Sequence, residues 1–127
     1  MKTKHTIALS AFAGVALGAA SIELLHAQAK PIAYAIAGDI INDETGYAKN
    51  FAPLMAKEIQ AAGGKFLATG GKTIPVHGGM PLRVVLVQFD SLEKAQAWAN
   101  APGTKATFAV GEKYARLHEY IIEGLSE

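Results

Sequence analysis

Residues 81–100 read PLRVVLVQFDSLEKAQAWAN, and this stretch decides the fold. Leu82 to Phe89 is almost wholly apolar and β-branched, the composition of a strand buried on both faces. Asp90 and Ser91 follow at once, with side-chain oxygens suited to cap the free amides of a helix that starts at Leu92. In that helix Leu92, Ala95, Trp98 and Ala99 recur at helical spacing and define one buried stripe. A buried strand feeding directly into an amphipathic helix is one half of a strand–helix–strand unit.

Upstream, the same theme occurs once more. Residues 31–41, PIAYAIAGDII, alternate, with Ile32, Tyr34, Ile36 and Ile40 on one face and Ala33, Ala35, Ala37 and Asp39 on the other. Gly38 marks a candidate bulge. Asn42 to Thr45 supply capping oxygens and first-turn acids for a helix whose apolar positions are Tyr47, Phe51, Leu54, Met55, Ile59 and Ala62. Pro53 lacks an amide donor and crowds the carbonyl four residues back, so a kink or two abutting helical pieces is expected there. Gly63-Gly64 closes the helix. A second strand begins over 65–68, is interrupted by Gly70-Gly71, and is predicted to resume over 73–76 as an edge, because Pro75 cannot donate to a central ladder.

Downstream, Pro102-Gly103 ends the Trp98 helix. A further helix is predicted from about Thr104 to Ala115, with Ala106, Val110 and Tyr114 on one side and Gly111 in its middle. The last strand spans 117–123. The order βαββαβ, with one extra helix before the final strand, predicts an α+β fold of the ferredoxin-like type: a four-stranded antiparallel sheet with helices on one face. The other face is left open. Strand three is apolar on both sides, so a second copy is the natural cover. Two such sheets face to face make a dimeric α/β barrel, and the homodimer is the expected partner.

The 127 residues amount to one domain by size, and half are apolar. Residues 1–29 read as a signal peptide: Lys2 and Lys4, an apolar run from Ile7 to Ala20, and Ala27-Gln28-Ala29 as a cleavage site. Cleavage there makes 30–127 the mature domain and places it in the periplasm or outside the cell, with no membrane attachment. The competing reading is an uncleaved anchor, since about 20 apolar residues can span a bilayer. Lys2, Lys4 and Glu23 fall in this leader, which leaves ten basic and ten acidic residues and a formally neutral domain. No cluster of Lys or Arg forms the positive footprint that a phosphate backbone requires, so nucleic acid is not an expected partner. The absence of cysteine removes disulfides, thiolate metal sites and thiol nucleophiles.

Several residues taken together resemble a known family. They are Gly63-Gly64-Lys65-Phe66-Leu67, Gly70-Gly71-Lys72, Arg83-Val84-Val85, Phe89-Asp90-Ser91, Ala95-Gln96-Ala97-Trp98 and Glu123-Gly124. The set is similar to the bacterial domain of unknown function 1330, over about 31–124. That resemblance implies the dimeric α/β-barrel superfamily, whose members include cofactor-independent monooxygenases, haem-binding enzymes and small-molecule isomerases. It therefore implies a pocket rather than a reaction. The sequence departs from the family pattern at Thr69, where members often carry Arg, and at Ala101-Pro102-Gly103-Thr104, where they often read Ser-Pro-x-Tyr.

Candidate chemical groups are few. His118, at the start of the last strand, has the imidazole of a general base if it points into a pocket, and otherwise is a strand-end histidine. Asp39, an acid among apolar residues, suits a base of raised pKa or a loop cap equally well. Arg83 can anchor an anionic ligand or pair with an acid on a neighbouring strand; the family pattern has an arginine there too, which favours the structural role. Tyr47, Phe51 and Trp98 are core aromatics that can also line a flat apolar pocket. His77 sits in a turn. No H-x-x-x-H or comparable ligand spacing occurs, and no nucleotide, hydrolase or zinc-protease motif, so neither metal nor cofactor is expected. Two readings remain from the residues: a binder of a small apolar or aromatic molecule, and a cofactor-independent monooxygenase or isomerase with His118 or Asp39 as base.

Overall fold

A computed structural model describes residues 30–80 and 83–126. The signal peptide expected at 1–29 lies outside the described residues. Strand β1 spans Ala33–Ile41; α1 (Glu44–Gly46), a π turn (Tyr47–Phe51) and α2 (Ala52–Ala61) form one continuous helical segment. The chain goes on through β2 (Lys65–Thr69), β3 (Arg83–Phe89), α3 (Leu92–Asn100), α4 (Pro102–Gly111), β4 (Ala115–Arg116) and β5 (Glu119–Glu123). The sheet runs β2-β3-β1, with β4 and β5 both pairing β1 on its far side, and every pairing is antiparallel. This is the ferredoxin-like plan, in the form that builds dimeric α/β barrels.

The expected fourth strand is present in two pieces. Ile40 lies opposite Arg116 and Ala37 opposite Glu119, so one register continues across the gap. Between them the Gly38 amide donates to the His118 carbonyl (2.8 Å), and the Asp39 carboxylate takes the His118 amide in place of a ladder bond. Gly38 itself shifts no register. The irregularity lies in β2, between Phe66 and Ala68. The edge strand predicted over 73–76 is not formed. After Gly70, at φ +67°, the chain leaves the sheet, and Ile74 and Val76 are exposed.

The interruption foreseen at Pro53 is the π turn just before it. The wider turn takes up one extra residue, and Pro53 then sits in the first turn of α2, where its missing N–H costs nothing. This resets the helical phase. Tyr47, Phe51, Met55 and Ile59 point into the core, and Leu54, expected to be buried, is 46% exposed. Helix α4 also differs from expectation. It begins at Pro102, and its buried residues are Thr104, Thr107 and Gly111, not Ala106 and Val110. Thr107 satisfies its hydroxyl by donating to the Gly103 carbonyl (2.8 Å), and Gly111 ends the helix where a Cβ would collide with the Phe51 ring.

The core lies between the helices and the sheet face carrying Ala33, Ala35, Val87 and Phe89. The Ser91 hydroxyl accepts from the Lys94 amide (3.2 Å), the expected cap, and so starts α3 directly after β3. Trp98 then packs on Phe89 (centroids 5.4 Å apart) and edge-on to Phe108 (6.0 Å). The opposite sheet face is apolar and open: Ile40, Leu67, Met80, Tyr120 and Ile122 are each at least 40% exposed.

Candidate functional site

A cavity of about 390 Å³ lies between this sheet and the helices. Its origin is in β1. Ala35 and Ala37 present only methyl groups to the helices, and the surrounding side chains do not fill the space above them. Phe51, Met55, Phe66, Val87, Trp98 and Phe108 make the apolar wall.

One end of the cavity is polar, and the sheet register explains why. Arg83 stands directly opposite Asp39, and Glu119 opposite Ala37, so three charged residues from β3, β1 and β5 share one face at one end of the sheet. Tyr47 reaches the same point from the first turns of the helix, where Asp43 fixes the entry by accepting from the Gly46 amide (3.0 Å). Asp39 is 1% exposed. Its two oxygens accept from the Tyr47 hydroxyl (2.8 Å) and the His118 amide (3.2 Å). Asp39 is thus not a loop cap but the buried hub of the site.

Arg83 makes no ion pair among the described residues. It donates to the Thr69 hydroxyl (3.3 Å), and its guanidinium lies over the Tyr47 ring at 5.8 Å. Its Nε and the Trp98 Nε1 are buried donors with no partner among the described residues. A buried orphan donor costs about 1–3 kcal/mol, so two on the lining of one cavity suit a ligand that carries acceptors.

Burial first, then hydrogen bonding and the charge of Asp39, push the Tyr47 phenol well above its ordinary range, so it remains a hydrogen-bond donor. Glu119 is pushed up from 4.5 to about 8, by burial first and then by the charge of Asp39 and the hydrogen bond between the two carboxyls. A group whose pKa is higher folded than unfolded stabilises the fold fully below the unfolded value, and that contribution is lost as pH rises through the folded value. Thermal stability should therefore decline between about pH 5 and 9 in the wild type. Glu119→Gln, still faced by Asp39, Tyr47 and Arg83, should give a flatter profile; parallel melting profiles would show that Glu119 is not the group responsible.

Five of the six expected site residues meet at this cavity: Asp39, Tyr47, Phe51, Arg83 and Trp98. His118 does not. Its ring turns to the other side of the sheet, beside Ile40 and Tyr120, and its Nδ1 donates to the Gly38 carbonyl (3.2 Å). The reason is the alternation of the last strand, which sends Glu119 to the cavity and so its neighbour away. Glu119 escaped the sequence reading. The sequence held no signal for it: Glu119 alternates with Leu117 and Ile121, the other face carries Tyr120 and Ile122, and only the structure shows the Ile121 face to be the inner one.

The family model for the domain of unknown function DUF1330 matches residues 32–125. The chain belongs to this family. Among solved structures it is similar to a protein of unknown function from Rhodopseudomonas palustris, at TM-score 0.55 and 10% identity, covering 77% of this chain and 85% of that one. It is similar also to SnoaB, a cofactor-independent oxygenase from Streptomyces nogalater, at TM-score 0.55 and 6% identity, covering 76% and 96%. At these identities the likeness is one of fold. No curated protein matches the sequence.

Proposed function

We propose that this protein is an exported homodimer that binds a small apolar or aromatic molecule in the cavity under its helices. The observation that carries this reading is the cavity itself: an alanine floor and an aromatic wall, closed at one end by Asp39, Tyr47, Arg83 and Glu119. Native mass spectrometry of protein purified from its native host tests it. A dimer heavier than two chains identifies the bound class by its excess mass; a protein that takes up no apolar or aromatic compound would count against the reading.

The open sheet face supports the dimer. Tyr120 and Ile122 stand beside Ile36 and Tyr34 in the register and form an apolar patch on β1 and β5. Ile122→Glu places a carboxylate in that patch and should cost about 2 kcal/mol or more of dimer stability, the size of an interface hot spot. Sedimentation should then show monomer at concentrations where the wild type is dimeric; an unchanged dimer would move the interface elsewhere.

A second reading, a cofactor-independent oxygenase or isomerase, is favoured by Asp39 at the cavity's polar end beside Tyr47, where a base would be needed. His118 has no part in it.

A further inference from the structure

The polar end of the cavity holds two carboxyl groups in unlike surroundings. Asp39 accepts from the Tyr47 hydroxyl and the His118 amide, and both bonds hold charge on its oxygens. Glu119 has no such fixed donors; it is half-buried and lies diagonal to Asp39 in the β1–β5 register, on the same wall of the cavity. A proton held at this end of the cavity therefore rests on Glu119, while the two donors on Asp39 fit it to act as the base. An acid and a base stand side by side at the end of an apolar chamber, with the Arg83 guanidinium beside them over the Tyr47 ring.

We infer that Asp39 and Glu119 make this cavity a site for enolising an apolar carbonyl compound, a ketone above all, by moving a proton from carbon to oxygen. The inference rests on the binding reading above and gives it a substrate class. Asp39 takes the proton from the carbon next to the carbonyl. The C–H electron pair becomes the new C=C bond, and the carbonyl π pair takes the Glu119 proton as an O–H bond. The positive charge of Arg83 steadies the oxygen as negative charge gathers on it. Asp39 is then neutral and Glu119 ionised, and the proton returns from Asp39 to Glu119, its diagonal neighbour in the register. The protein ends as it began. Return of a proton to a different carbon of a conjugated enol completes an isomerisation.

The test uses 2-tetralone, a bicyclic ketone with an acidified α-carbon, in D2O. Trp98 is the only tryptophan in the chain and lines the cavity, so its fluorescence reads occupancy, while proton NMR reads deuterium entering the α-carbon. The wild type should bind 2-tetralone and exchange it at least about tenfold faster than buffer alone. Asp39→Asn and Glu119→Gln should each lower the protein-dependent rate by about 100-fold or more at equal occupancy read from Trp98 quenching, the scale of general acid–base catalysis. Circular dichroism checks both variants. Should Asp39→Asn fail to fold, the isosteric change at half-buried Glu119 carries the comparison. Quenching without exchange, or exchange undiminished in the folded variants, overturns the enolisation and leaves the binding reading standing. Neither quenching nor exchange overturns both.

Discussion

Trp98→Ala is expected to destabilise the protein by about 3–5 kcal/mol, the cost of emptying a buried aromatic site. Trp98 is 4% exposed and joins three layers of the structure: Phe89 of the sheet below it, its own helix α3, and Phe108 of α4. Against a total of about 5–15 kcal/mol for a domain of this size, that is a large fraction. Urea denaturation measures it, with the midpoint falling while the slope stays constant. Trp98→Phe keeps a ring in the stack and removes the indole N–H that has no partner, so it should cost far less. If the two variants prove equally unstable, the loss belongs to the indole's shape rather than to the ring contacts.

Asp39→Ala should cost about 2–5 kcal/mol, because it leaves the Tyr47 hydroxyl and the His118 amide without their acceptor, at about 1–3 kcal/mol each. Part of this is offset at Glu119, which loses a neighbouring negative charge. Asp39→Asn retains one acceptor oxygen of similar shape and should lose less than half as much. Denaturation of the two variants side by side makes the comparison. An alanine variant as stable as the wild type would mean that these bonds contribute nothing to folding, and Asp39 would then be held for chemistry alone.

The succession of strands and helices and the strand-to-helix step at Ser91 were legible in the sequence, because each rests on local signals: alternation, capping oxygens, glycine pairs. Asp39, Tyr47, Phe51, Arg83 and Trp98 were legible as candidates for the same reason. What stayed hidden depends on residues far apart in the chain. The π turn follows from the sheet's demand that Tyr47, Phe51, Met55 and Ile59, each four apart, all face it, a run that drifts about 120° on a fixed 3.6-residue period. Glu119 reads as a surface acid until the register sets it opposite Ala37 and diagonal to Asp39. His118 was overrated because an imidazole draws attention in any sequence, whereas strand alternation alone decides which side it takes.

The alanine floor has a bearing on how such proteins diversify. Ala35 and Ala37 set how much room lies beneath the helices, while Asp39, on the same face of the same strand, holds the polar end. On the binding reading proposed above, the room for a guest and the polar end are thus set at separate positions of one nine-residue strand. If the cavity holds its guest as proposed, single methyl groups added at 35 and 37 would change the room available and leave Asp39 and Glu119 unaltered.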